Sequence, residues 1–283
     1  MFRVVYSETG KRTETIGGLA DGFVVNQQTA QAINLLPLEG IPLVKPGDDL
    51  PGIILKSANS SKIEWFEGDI LVIAQKIVSK AEGRLVNLKQ IEPSKRSIEL
   101  GSLTEKDPRL VELILQESKK VIRYRKGVLV VQNEHGVILA NAGIDHSNLE
   151  QDQEQDWVLL LPKDPDLSAK IIHQELMEKT GLHLGVIIND SIGRAWRNGT
   201  IGTAIGVAGL PAIVDLRGRK DLFGNPLRVS EEAVADELAS AASLIQGQAD
   251  EALPVVLIQG FQSQKANIPA SGLIRPKETD LFL

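Results

Sequence analysis

Leu184-Gly-Val-Ile-Ile-Asn-Asp190-Ser191-Ile-Gly-Arg194-Ala-Trp-Arg197-Asn-Gly decides how this chain is read. A short run of branched apolar residues ends in Asn and Asp, which reads as a buried strand ending in an acidic turn. A second stretch repeats the arrangement: Val137-Ile-Leu-Ala-Asn-Ala-Gly-Ile-Asp145-His-Ser-Asn148. The ends of strands are where an α/β sheet presents chemistry. Two carboxylates on such ends, followed by Arg194 and Arg197, suggest a divalent metal holding a phosphate.

Further runs extend the strand pattern. Ile70–Ala74 reads as a buried strand, and so do Arg84–Leu88, Gly127–Gln132, Gly136–Asn141, Trp157–Pro162, Ala212–Leu216 and Val255–Ile258. Ile41–Val44 before Lys45-Pro-Gly-Asp-Asp reads as a short strand and a turn. Helices are expected from Leu50 to Ser57, capped by Asp48 or Asp49, and after Asp107-Pro108. Another is expected after Asp166, and a long Ala-rich one from Ser230 to about Gly247. Leu149–Trp157 reads as an acidic, glutamine-rich loop. The expected fold class is α/β (mixed α+β). Residues 1–34 form an N-terminal extension, a mobile segment or hairpin arm, ahead of a domain at 35–283.

Composition narrows the chemistry. The 283 residues hold no cysteine, which excludes disulfides, thiolate zinc sites, iron–sulfur clusters and cysteine nucleophiles. The net charge of -6 argues against nucleic acid as the main partner. No apolar run is long enough to span a bilayer and Met1–Gly18 has no signal-peptide core, so no membrane partner and a cytoplasmic location are expected.

Each candidate residue carries a plainer reading as well. Asp145 and Asp190 suit Mg2+ or Mn2+, with Ser191 offering a hydroxyl, but either Asp can equally cap a turn. Arg194 and Arg197 match phosphate or carboxylate oxygens or form a solvated turn, and Trp196 between them is expected to pack rather than to stack on a ligand. Gly199–Gly209 is neither a Walker loop nor a dinucleotide fingerprint, so close backbone packing at a helix or subunit contact is the preferred reading. Lys76 and Lys80 can reach a phosphate or sit on the surface. Of the four histidines only His146, beside Asp145, is worth watching.

Taken together the motifs resemble the coenzyme F420-0:L-glutamate ligases. The resemblance rests on Gly40-Ile-Pro with Pro-Gly-Asp-Asp, Gln75-Lys-Ile-Val-Ser-Lys-Ala-Glu-Gly-Arg84, and Asn141 to Asn148. It continues through Asn189 to Arg197, Asp215-Leu-Arg-Gly-Arg-Lys-Asp221, Ala235–Ala239, Gly247–Glu251 and Leu273–Phe282. It implies a two-subdomain fold in an intertwined homodimer, with GTP, L-glutamate and coenzyme F420-0 as partners. It also implies two divalent ions, Mg2+ or Mn2+, with K+ as an optional further ion. Asp145 and Asp190 would hold one ion; Ser191 and Gln248 would hold the second. Nucleotide contacts would come from Ile41, Pro42, Leu43 and Val44, from Gln75, Lys76, Lys80 and Asn148, and from Gln246, Gly247, Gln248, Ala249, Asp250 and Glu251. Gln75-Lys76 departs from the small hydroxyl residues of some members. The implied reaction passes through an acyl phosphate, with Arg194 and Arg197 as candidates for gripping anionic substrate groups. Competing readings are a related ligase on another acid, a metal-dependent phosphohydrolase and a non-catalytic nucleotide-binding protein.

Overall fold

Ile70–Ala74 continues into a helix at Gln75 without an intervening loop, so one strand and one helix meet at a single peptide bond. This junction anchors the computed structural model. It describes residues 32–149, 156–264 and 266–281, and the backbone of Val5–Tyr6 and Arg12–Thr13. Those two short strands pair antiparallel as a small hairpin in a unit of their own, Met1–Gln31. The second unit is Ala32–Leu283. The glutamine-rich loop falls mostly outside the described residues.

A five-stranded sheet organises this unit. Its strands are β1 (Asn34–Pro37), β2 (Ile70–Ala74), β3 (Gly185–Gly193), β4 (Thr200–Ala208) and β5 (Val255–Gln259). The spatial order is β4-β3-β2-β5-β1. β3 runs parallel to β2, and all other neighbours are antiparallel. Mixed pairing gives the α/β class expected from the sequence.

Both faces of the sheet are covered, which explains why its strands read as continuous apolar runs rather than alternations. Leu71, Ile73, Val186, Ile188, Val255 and Leu257 face one core. That core is completed by α1 (Leu50–Ser60), α2 (Gln75–Ala81) and α5 (Pro165–Thr180). Ile70, Val72, Ile187, Val256 and Ile258 alternate with them and face α6 (Val234–Gln246). The helices α3 (Lys95–Thr104) and α4 (Pro108–Gln116) instead pack on a meander of Ser118–Arg125, Val128–Asn133 and Ile138–Ala140, around a smaller core of Leu100, Val111, Ile114, Leu129 and Val131. Neither α3 nor the Ser118–Arg125 strand is singled out by sequence pattern, because both present mainly charged or half-exposed side chains.

Several expectations need correction. Ile41–Val44 is not a strand: β1 already fills the edge of the sheet, and Pro42 interrupts the segment. Asp164, not Asp166, caps α5, accepting from Leu167 N–H at 3.0 Å. Asp166 lies in the first turn, and its carboxylate accepts from the N–H groups of Val207, Ala270 and Ser271. The long helix begins at Val234, because Glu231–Glu232 is extended and pairs with Val214–Asp215. The Ala212–Leu216 strand is correspondingly only Val214–Asp215. Asp190 is not in a turn: β3 continues through it to Gly193.

The glycine-rich stretch is β4, and its glycines do serve close packing within the chain. A methyl at Gly202 would collide with the carbonyl oxygen of Ala239 on α6. At Gly206 it would collide with that of Pro165 on α5. Two helices therefore touch opposite sides of one strand.

Candidate active site

A cavity of about 720 Å³ opens at the carboxyl ends of the parallel pair β2 and β3. Chain directions dictate its position, since β2 ends at Ala74 opposite Asn189 and turns into α2 while β3 runs on past it to Gly193. Three further segments complete the lining: residues 41–44 after β1, residues 145–149, and the loop from Gln246 to Pro254 between α6 and β5.

Asp145 is delivered by an unusual turn. Asn141, Ala142 and Gly143 all have positive φ, at 53°, 55° and 74°. Non-glycine residues in this region are strained, and the strain is held here by surrounding bonds. The Asn141 side-chain oxygen accepts from Leu129 N–H at 3.2 Å, and Asp145 exchanges backbone bonds with Leu159 at 3.0 and 2.9 Å. The Asp145 carboxylate then accepts from Ser147 N–H at 2.7 Å and pairs with Lys76 Nζ at 2.7 Å. Burial pushes this carboxyl upward, but the hydrogen bond from Lys76 and the Ser147 amide outweigh it, and the net position is below the usual carboxylate range.

Asp190 behaves oppositely. Burial, the largest influence, pushes its carboxyl up to about 6. The negative charge of Asp145 adds to the rise, while the Ser191 N–H, donating at 2.9 Å, with Lys76 and Gln75, opposes it. Two carboxyl groups held in one cavity, one stabilised as an anion and one not, form a site short of positive charge.

Lysines and amides surround this pair. Lys76 Nζ also donates to Ser147 Oγ at 2.6 Å, and Lys80 Nζ donates to the Asn148 carbonyl at 2.8 Å. Both come from α2, four residues apart and hence on one face. Buried Gln75 accepts from Ser79 Oγ at 2.9 Å. Asn148, at φ 56°, reaches the Ala249 carbonyl across the cavity at 3.5 Å. Gln246 is fixed by donating to the Val72 and Pro254 carbonyls, and it accepts from Asn189 Nδ2 at 2.7 Å. At Gly247 φ is 71°, and an added methyl would collide with the Glu251 carboxylate, which accepts from Ala249 N–H at 2.8 Å.

All residues anticipated as nucleotide or metal contacts line this one cavity: Ile41 to Val44, Gln75, Lys76, Lys80, Asp145, Asn148, Asp190, Ser191 and Gln246 to Glu251. Ser147, Asn189 and Thr200 join them without having been singled out, although the first two adjoin residues that were. Arg194, Arg197 and His146 are not among the lining residues. Trp196 does not pack, being 86% exposed.

The donor set fits a hard divalent ion. Among the described residues no group of three or more His, Asp or Glu gathers as a metal cage. The available oxygens are two carboxylates, the Ser191 hydroxyl and the Gln248 amide oxygen. Gln248 Nε2 is turned to Ser243 at 3.4 Å. Such an incomplete all-oxygen set suits Mg2+ or Mn2+ shared with phosphate and water rather than a closed structural site.

Comparison with known proteins places the chain in one family. The family model described as F420-0:Gamma-glutamyl ligase matches residues 40–260. The chain is 45% identical over 252 residues to the coenzyme F420:L-glutamate ligase of Methanothermobacter thermautotrophicus, covering 88% of this chain and 98% of that protein. It is 42% identical over 254 residues to the enzyme of the same name from Methanopyrus kandleri, covering 87% and 97%. For the Archaeoglobus fulgidus protein of that name the identity is 40% over 254 residues, covering 88% and 96%.

Proposed function

The chain belongs to the F420-0:gamma-glutamyl ligase family, and from that premise we propose that it joins L-glutamate to the carboxylate of coenzyme F420-0 using GTP. One observation carries the reading: a single cavity gathers two unlike carboxyl groups, two lysines on one helix face and a loop of backbone amides. This is equipment for binding and activating a nucleoside triphosphate, and among the described residues no histidine lines the cavity to pair with the hydroxyls of Ser147, Ser191 or Thr200.

In the proposed reaction a carboxylate oxygen of F420-0 attacks the γ-phosphorus and the bond to the β-bridging oxygen breaks, releasing GDP. The amine of L-glutamate then attacks the acyl phosphate, phosphate leaves, and the amine proton passes to solvent. Asp145, Asp190, Ser191 and Gln248 would hold two divalent ions, which when bound supply charge neutralisation at the phosphate oxygens. Lys76 would exchange its pairing with Asp145 for a phosphate oxygen, and Lys80 would follow along the same helix face. Arg194 and Arg197 would receive the anionic groups of the substrates. Catalysis then rests on positioning and electrostatics. A homodimer is part of the proposal. Exposed Leu222, Val229 and Leu244 offer apolar area for it.

Phosphate release tests the reading. It should require L-glutamate and F420-0 together. Release from GTP at the same rate without glutamate would identify a hydrolase instead.

A further inference from the structure

We propose that Trp196 is the stacking platform for the flat ring of the acceptor, and that Arg194 and Arg197 beside it receive the acceptor's anionic groups. This rests on the ligase reading and supplies a recognition element that the cavity lacks. The positions assigned to the nucleotide lie on α2, on residues 41–44, at Asn148 and on the loop after α6. None lies on the turn of residues 194–199 that joins β3 to β4. Yet this turn is tied to the reacting centre. Ser191 on β3 and Thr200 on β4 both line the cavity, and Gly193 pairs with Thr200 at the base of the turn. Ile192 and Gly193 separate Ser191 from Arg194, three steps of extended chain or about 10 Å.

The turn itself has the marks of a binding element. Trp196 has φ 65°, a conformation disfavoured for a large side chain, and the residue is 86% exposed. The other two tryptophans, Trp65 and Trp157, are partly buried. A single exposed apolar residue is ordinary, but an indole held outward in strained backbone between two arginines is not explained by packing. Arg194 Nη1 is buried with no hydrogen-bond partner. Buried guanidinium nitrogens are normally paired, and carboxylate or phosphate oxygens are their preferred partners. An indole face and two guanidinium forks match a ligand that combines a planar ring with negative charge. In this reaction only the acceptor, a deazaflavin whose reacting group is a carboxylate, combines the two outside the nucleotide cavity.

Equilibrium dialysis of F420-0 against the full chain without GTP, alongside steady-state kinetics, tests this on Trp196→Ala and Trp196→Phe. Alanine should weaken F420-0 binding about tenfold, the loss of one stacked ring, and phenylalanine should restore most of it. The KM for GTP and kcat at saturating acceptor should not change. An acceptor Kd in Trp196→Ala within about twofold of the wild type would overturn the proposal, since stacked rings contribute more than that. So would an equal rise in the KM for GTP, or an altered solution mass showing that Trp196 serves a contact between copies. Failure to bind F420-0 at all would overturn it as well. The two readings fail separately. A wild-type chain that binds F420-0 in a Trp196-dependent manner without glutamylating it refutes the ligase reading alone. A glutamylating wild type with an unaffected alanine variant refutes the stacking role alone.

Discussion

Asp190 carries the clearest conflict between folding and function. Its carboxyl titrates near 6 in the fold against an ordinary value of 3.8, because burial disfavours the charged form. A raised carboxyl binds its proton more tightly folded than unfolded. Its contribution to stability is therefore full below about pH 4 and is lost as pH rises through 6. Asp190→Asn should remove that penalty and stabilise the metal-free protein at pH 7.5 by at most about 3 kcal/mol, while abolishing turnover. Urea unfolding in EDTA at pH 5 and 7.5 reads the effect, and a variant less stable than wild type at pH 7.5 would contradict it. Lys76 belongs to the same scale. Its ion pair with Asp145 is half-exposed and contributes little to stability, about 0–1 kcal/mol. Lys76→Ala should leave the unfolding midpoint nearly unchanged and raise the KM for GTP about tenfold or more. An unchanged KM would remove Lys76 from the nucleotide site.

At the scale of elements, β4 and the two helices against it set the shape of the cavity wall. Gly202 and Gly206 leave no room for a side chain, so Gly202→Ala and Gly206→Ala should each destabilise the fold by about 1–3 kcal/mol. Gly199→Ala, where a methyl meets open space but φ is 85°, should cost less. Thermal unfolding of the three variants orders them, and a harmless Gly206→Ala would contradict the packing. This scale also shows what is legible in sequence. β2, β5 and the start of α4 are read nearly to the residue, because buried apolar runs and an Asp-Pro start are strong local signals. Ile41–Val44 and the start of α6 are misread because pairing partners decide them: β1 occupies the edge, and Val214–Asp215 draws Glu231–Glu232 into extended form. The cavity residues are legible only as a set of motifs. Asp145 reaches the site through three consecutive positive-φ residues, and Asp190 through a strand whose register to β4 shifts at Ile188/Asn189, and no local pattern announces either. Trp196 is misjudged because composition favours burying an indole and only the turn's geometry holds it outward.

Among the described residues, the four apolar clusters and the cavity all lie in the unit beginning at Ala32. A chain starting at Ala32 should therefore fold with an unchanged far-UV spectrum per residue and a urea midpoint close to that of the full chain, and a collapse of either would contradict this. The same dependence on one cavity makes the protein's stability respond to its ligands. Mn2+ with GTP at about 100 times their dissociation constants should raise stability by about 2–3 kcal/mol, and EDTA should reverse the gain. No helix among the described residues is long and apolar enough to cross a membrane. The most direct measurement is mass spectrometry of coenzyme F420-0 after incubation with the full chain, GTP, Mn2+ and L-glutamate. F420-0 should gain glutamyl residues in step with GDP formation, and the gain should vanish with Asp145→Ala. GDP formed with no mass added to F420-0, or glutamylation undiminished in Asp145→Ala, would contradict the ligase reading.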